Sequence, residues 1–287
     1  MSGDTKKAFK ILTEAGIGSE DARFDISLIF SYLGDDDKAF DEAIAKRAAG
    51  VPVAYILGKQ AFYKEEYKVT ADCLIPRADT ELLVEAALRS CAALSFAAGS
   101  VSDIPERQIT GSPRILDLCT GTGCVGISVY NSLLPKYPQA EVIISDISDK
   151  ALAVARENIA SQAAAPAGIK AVKLDALTGE CEEDIGTFDV ITANPPYINS
   201  ADMLKLDDSV KLHEPHLALE GGEDGLKFYP AIAFSARKLL KEGGVLIVEH
   251  GYDQGKTVPQ TLVNAGFNNV KVLKDYGGND RVTYGEI

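Results

Sequence analysis

The 287-residue sequence predicts an α/β fold: a doubly wound, mostly parallel sheet, with a small N-terminal helical domain joined to it by a β-hairpin. Three observations carry this. From Pro113 onward, short apolar runs alternate with stretches of helical period, the rhythm of parallel strands crossed over by helices. The first of those runs breaks into a glycine-rich turn, Gly121-Thr122-Gly123-Cys124-Val125-Gly126. Ahead of the alternating region, residues 4–50 show helical period only.

In chain order, Phe9, Leu12 and Ile11, Ala15 predict a first helix. Ala22, Ile26, Ile29, Phe30 and Leu33 fall on one face of a second, and residues 41–49 form a third. Residues 51–76 change character. Pro52, Gly58, the aromatics Tyr55, Phe62, Tyr63 and Tyr67, and the polar break at Lys64-Glu65 predict a hairpin between a helical domain, 1–75, and a second domain, 76–287. Residues 80–96 return to helix, and the Ser-, Gly- and Pro-rich stretch 97–113 reads as a surface loop. Strands are expected at 114–118, 141–145, 169–174, 188–193 and 244–249, with helices at 123–133, 150–160 and 225–241. Residues 269–273 and 281–284 add an antiparallel pair at the edge.

Bulk properties narrow the class. Apolar residues make up 46% of the chain, enough for a real core, yet no run reaches the length of a transmembrane helix. The start, Met1-Ser2-Gly3-Asp4-Thr5-Lys6-Lys7, is not followed by the apolar core of a signal peptide. Five scattered cysteines read as free thiols of a reducing, cytoplasmic setting. A net charge of −13 speaks against binding naked nucleic acid, which requires clustered Lys and Arg.

The glycine turn carries a ligand signal. Gly121, Gly123 and Gly126 fit the pattern G-x-G-x-x-G, and Asp146 stands twenty residues further on, at the end of the next strand, where an acid holds ribose hydroxyls. Asp117, ending the first strand, would repel a diphosphate resting at the helix N-terminus and attract the ammonium of S-adenosylmethionine. That favours a methyl donor over NAD. Asp175, ending the third strand, is placed to meet an adenine amine.

The chemistry sits at Asn194-Pro195-Pro196-Tyr197, where the fourth strand ends in an amide, two prolines and an aromatic ring. Proline cannot continue a central strand, so the segment forms a stiff shelf at the crevice beyond the carboxyl ends of the strands. The Asn194 side-chain oxygen and the Pro195 carbonyl can accept both N–H groups of a planar amide, with Tyr197 packed on its face. The turned lone pair then meets the donor methyl, and positioning supplies the rate. His213 and His216 lack a third ligand at metal spacing, so no metal is expected. Glu249-His250-Gly251 ends the fifth strand and is read as supporting the sheet edge.

These residues resemble the class I S-adenosylmethionine-dependent methyltransferases, and more closely the release-factor glutamine N5-methyltransferase family, over nearly the whole chain. Asp117-Leu118-Cys119-Thr120-Gly121-Thr122-Gly123 resembles the donor loop, Asp146 the ribose acid, Asp175-Ala176 the adenine-side pair, and Asn194 to Tyr197 the substrate-amide motif. Gly50 to Gly58, Ile75-Pro76-Arg77-Ala78-Asp79-Thr80-Glu81, His213-Glu214-Pro215 and Gly221 to Leu226 fit further family segments. The resemblance implies a seven-stranded sheet, S-adenosylmethionine as cofactor, and methylation of the glutamine of a Gly-Gly-Gln tripeptide in release factors, gripped by the N-terminal helices. Ala78, where the family usually has Pro, and Ala176, where a bulky residue is common, depart from the pattern. Other readings stay open: glutamine methylation of a ribosomal protein, methylation of an exocyclic amine in DNA or RNA, an NAD-dependent oxidoreductase, and a non-catalytic scaffold.

Overall fold

The computed structural model describes residues 3–34, 36–93, 99–107, 109 and 111–287. Three helices, α1 (Gly3–Glu14), α2 (Ser19–Leu33) and α3 (Asp37–Ala48), enclose a core of Leu12, Ile26, Ile29, Phe40 and Ile44. The Asp36 side chain caps α3 by accepting from the Ala39 N–H at 2.9 Å, and Lys46 and Arg47 lie in its last turn, where the helix dipole favours cations. Arg47 Nε also donates to the buried Asp25 at 2.6 Å, tying α3 to α2. Phe30 departs from the expected apolar face. It lies one residue past Ile29, about 100° round the helix. The ring is 46% exposed and meets Phe40 edge-on, with ring centroids 5.9 Å apart.

The segment between these helices and the sheet holds a short helix, α4 (Val53–Leu57), ended by Gly58 at φ 70°, which periodicity over so few residues cannot reveal. The expected hairpin follows as β1 (Lys59–Phe62) and β2 (Glu65–Lys68), turning at Tyr63-Lys64. Asn158, fully buried, fastens the hairpin to the rest of the molecule. Its Oδ1 accepts from the Lys68 N–H at 2.8 Å, and its Nδ2 donates to the carbonyls of Lys68 at 3.0 Å and Thr122 at 2.9 Å.

Helix α5 (Glu81–Ser90) follows a turn of 3-10 helix, Ala78–Thr80. It stops earlier than the sequence predicted. Residues 94–98, including Phe96, lie outside the described part of the chain. The stretch expected to be a surface loop instead buries Val101 and Ile104, which join the core beside α5. Two apolar residues in a polar segment leave no periodic signal.

The remaining elements run in the predicted alternation: β3 (Arg114–Leu118), α6 (Cys124–Leu133), β4 (Glu141–Asp146), α7 (Asp149–Gln162), β5 (Ile169–Lys173), β6 (Phe188–Ala193), α8 (Ser200–Met203), α9 (Asp208–Lys211), α10 (Tyr229–Leu239), β7 (Leu240–Glu249), α11 (Thr257–Asn264), β8 (Asn268–Lys274) and β9 (Asp280–Glu286). Among the described residues, seven strands form one sheet in the order β5-β4-β3-β6-β7-β9-β8. The first five are parallel, and β9 runs antiparallel to β7 and β8. Residues 225–228 lie outside α10, because Gly225 adopts φ 75° in a turn, and β7 begins at Leu240.

Alternation along the strands feeds a separate core on each face. Ile115, Val142, Ile144, Val190, Val245 and Ile247 pack under α5 and α6. Leu116, Leu118, Ile143, Ile191, Leu246 and Val248 pack under α10 and α11. The order reverses between β3 and β6, and the crevice at their carboxyl ends is the place such sheets offer a ligand. Replacing Asn158 by Ala strands the Lys68 N–H and two carbonyls in the interior. It is expected to cost about 3 kcal/mol, read as a lower midpoint of denaturant unfolding.

Candidate active site

The crevice is a cavity of about 250 Å³ at the carboxyl ends of β3, β4, β5 and β6. Of the residues singled out from sequence, Asp117, Cys119, Thr120, Gly121, Thr122, Asp146, Asp175, Ala176, Asn194 and Pro196 line it. Gly123, Pro195 and Tyr197 are not among the residues that line it.

Asp117 organises the floor. Its carboxylate is 1% exposed and accepts from the Thr120 hydroxyl, the Gly126 N–H at 3.2 Å and the Thr192 hydroxyl at 2.8 Å. One side chain therefore joins β3, the glycine turn and β6. Burial pushes its carboxyl up to about 6 despite these donors. Asp146 accepts from the Gly121 and Ser148 N–H groups, each at 3.0 Å, and burial raises its carboxyl as well. Two amides of the turn, those of Gly121 and Gly126, are thus already bonded to carboxylates.

The glycines answer to different constraints. Gly121 needs φ 55°, and a Cβ there would meet nothing within 4 Å, so its outer face opens onto the cavity. A Cβ on Gly126 would lie 2.2 Å from Ile144 Cγ2, which fixes how closely α6 packs on the sheet. Cys119 also sits at positive φ, 56°, where a non-glycine residue is strained by about 1–2 kcal/mol. Its thiol is held far above the ordinary range by burial, so it packs and does not react.

Asp175 Oδ1 accepts from the Leu177 N–H at 2.8 Å, closing a turn that places Ala176 and Leu177 on the cavity wall. Leu177 provides bulk beside the small Ala176. Four carboxylates (Asp72, Asp117, Asp146 and Asp175) face the cavity against two cations, Arg77 and Lys227. This excess of negative charge, with the Gly121 and Gly126 amides occupied, suits a cationic ligand and opposes a diphosphate.

At the shelf, Asn194 Nδ2 donates to Thr80 Oγ1 at 3.2 Å. That anchor fixes the amide and leaves Oδ1 free to accept. Pro195 is buried. Tyr197 differs from expectation. Its ring packs against the core under α10 and does not line the cavity, and its hydroxyl donates to Glu249 Oε1 at 3.3 Å. The sequence carried no signal for this, because the partner lies 52 residues away.

The sequence marks Thr80, Glu249 and Glu214 as members of short segments and gives no sign of their partners. Glu214, 4% exposed, accepts from the Ile75 N–H at 3.2 Å and pairs with the Arg77 guanidinium, locking the segment Ile75-Pro76-Arg77 against the loop that follows α9. This lock holds the segment where Ala78 stands. His216 Nε2 contacts the Lys211 carbonyl at 3.1 Å, and His213 Nε2 lies against Gly50.

Sheet order and site together define a class I methyltransferase that uses S-adenosylmethionine. Residues 101–210 match the methyltransferase small domain family. A release factor glutamine methyltransferase from Cereibacter sphaeroides is 40% identical over 243 residues, covering 85% of this chain and 77% of that protein. One from Agrobacterium fabrum is 39% identical over 249 residues, 86% of this chain and 78% of that protein. A bifunctional methyltransferase from Rickettsia felis is 36% identical over 258 residues, 85% of this chain but 47% of that protein, so the match spans about half its length. The chain belongs to the release factor glutamine methyltransferase family.

The buried acids fix a pH response. Asp117 and Glu249 are pushed up to about 6 and about 7, so the folded state favours their neutral forms. Their stabilising effect is full below the unfolded carboxyl values and is lost as pH rises through the folded ones. His250, buried and lowered, works the other way but titrates once against two acids. The ligand-free protein is expected to lose stability between about pH 4 and pH 7. Denaturant midpoints across that range check it.

Proposed function

We propose that this chain transfers a methyl group from S-adenosylmethionine to the side-chain amide nitrogen, N5, of the glutamine in the Gly-Gly-Gln tripeptide of peptide-chain release factors. The observation that carries the reading is Asn194, whose Nδ2 is tied to Thr80 so that Oδ1 can accept. Beside it, the Pro195 carbonyl accepts no hydrogen bond from the described residues. Two acceptors side by side match the two N–H groups of a primary amide. A hydroxyl acceptor substrate would use at most one of them, and a carboxylate neither.

In this reading Asp117 and the turn from Cys119 to Gly123 hold the amino-acid end of the donor, Asp146 takes ribose hydroxyls, and Asp175, Ala176 and Leu177 flank adenine. S-adenosylmethionine supplies, when bound, an electrophilic methyl on a sulfonium. Asn194 Oδ1 and the Pro195 carbonyl hold both acceptor N–H groups and turn the nitrogen lone pair toward the crevice, with Pro196 on the cavity wall. Tyr197 acts from behind, stiffening the shelf through Glu249. An N-methylated amide nitrogen bearing an extra proton is strongly acidic, so no strong base is required, and positioning carries the rate.

Residues 1–75 are the protein-docking domain in this proposal and 76–287 the catalytic one. The partner is a protein and not nucleic acid, in keeping with the charge of −13. No helix of the described residues is long and apolar enough to cross a membrane, and a cytoplasmic setting follows from the proposed substrate.

The test is incubation with labelled donor and purified release factors, followed by mass-spectrometric mapping. Label on the tripeptide glutamine is expected, and its absence overturns the reading. Asn194→Ala is expected to lower kcat by about 100-fold or more while S-adenosylhomocysteine affinity stays within a few-fold. Asp146→Ala is expected to weaken that affinity by about 10- to 100-fold, measured by calorimetry.

A further inference from the structure

Glu249, at the end of β7, is 2% exposed, and its Oε2 is buried with no hydrogen-bond partner among the described residues. Its Oε1 accepts from the Tyr197 hydroxyl at 3.3 Å. The hydroxyl of Thr80, itself 3% exposed, is near enough to this carboxyl to favour its ionised form, without a hydrogen bond to Oε2. That hydroxyl is the group to which Asn194 Nδ2 donates. One carboxyl therefore stands behind both flanks of the shelf: it accepts from the Tyr197 hydroxyl, and Thr80, the partner of Asn194, lies near it.

We propose that Glu249 is a positioning residue for the methyl acceptor: in its ionised form it draws the Thr80 proton, leaving the Thr80 lone pairs for Asn194 Nδ2 and so aiming Asn194 Oδ1 at the substrate amide. The argument is one of donor and acceptor direction. Thr80 has a single hydrogen. When Glu249 takes that hydrogen, Thr80 can only accept from Asn194, and the amide is held with its oxygen outward. When Glu249 carries a proton, its O–H can donate to Thr80. The Thr80 hydrogen is then released toward Asn194, which favours the opposite amide orientation and presents NH2 to a substrate that is itself a donor. The proposal rests on the reading of Asn194 as the acceptor for a primary amide.

The groups facing Glu249 support a switch near neutrality. Burial and Asp79 raise its carboxyl, while Thr80, Arg281 and Tyr197 lower it, with a balance of about 7. Arg281 is itself shared with Asp79 at 3.3 Å and Asp275 at 3.2 Å, so its charge is only partly available. Cys124 and Tyr229 also lie within electrostatic reach, and both stay neutral because burial raises them.

Glu249→Gln keeps the shape and removes the charge. Its expected effect is a fall in kcat of about tenfold or more at pH 8, with S-adenosylhomocysteine affinity unchanged. The wild type is expected to lose activity below about pH 7, and the variant is expected to show no such loss. Thr80→Ser retains activity and Thr80→Val loses it to the same extent as Glu249→Gln, which separates a directed hydroxyl from mere packing. A readout free of turnover is the Asn194 side-chain N–H pair, identified by its absence in Asn194→Ala. In 15N spectra of the ligand-free protein those signals shift with pH about neutrality in the wild type and stay fixed in Glu249→Gln. Wild-type kcat and pH profile in a folded Glu249→Gln protein overturn the proposal. So do Asn194 signals that ignore pH in the wild type, even where the release-factor assay itself is negative. A negative assay alone, with titrating Asn194 signals, overturns the substrate reading and leaves the positioning role supported.

Discussion

The site depends on one buried carboxylate. Asp117 lies at the point where the strand order reverses, and its three hydrogen bonds reach the glycine turn, the first turn of α6 and the neighbouring strand β6. A neutral isostere could not accept all three, because an amide turns one of the two oxygen positions into an NH2 that only donates. The distance between the donor loop and the shelf is therefore set by a single side chain. The register of β3 against β6, with Asp117 opposite Thr192, makes that bond possible. Desolvation opposes the arrangement, and the surrounding donors offset only part of it.

The same logic extends round the crevice. Asp146 and Asp117 occupy the Gly121 and Gly126 amides, so two donors of the turn are already engaged in a fold shared with dinucleotide enzymes. Chemical selectivity between a sulfonium and a diphosphate thus comes from how the backbone donors are used, with the glycine pattern itself unchanged.

What could be read from sequence was what is local. Strands buried on two faces, the turn with its three glycines, the acids at successive strand ends and the proline-stiffened shelf each leave a short pattern. What could not be read depends on partners distant in the chain. Thr80 meets Asn194 across 114 residues, Arg77 meets Glu214 across 137, and Tyr197 turns away from the cavity to a carboxyl at the end of β7. Phe30 and the buried pair Val101 and Ile104 were misjudged for a related reason: burial at the margin of a helix face or within a polar loop is decided by what packs there. The family resemblance implies seven strands, and their order is seen only in the structure, since alternation alone does not rank strands.

The attachment of the hairpin to Asn158 has a consequence for the order in which the molecule is made. Lys68 and Asn158 are 90 residues apart, so closing that contact requires ordering most of two strand–helix units first. On a growing chain the three N-terminal helices emerge early and can collapse on their own core, whereas the hairpin finds its seat only once α7 has left the ribosome. The join between the two halves of the protein is thus a late event in its biosynthesis, set by a side-chain amide in the second half.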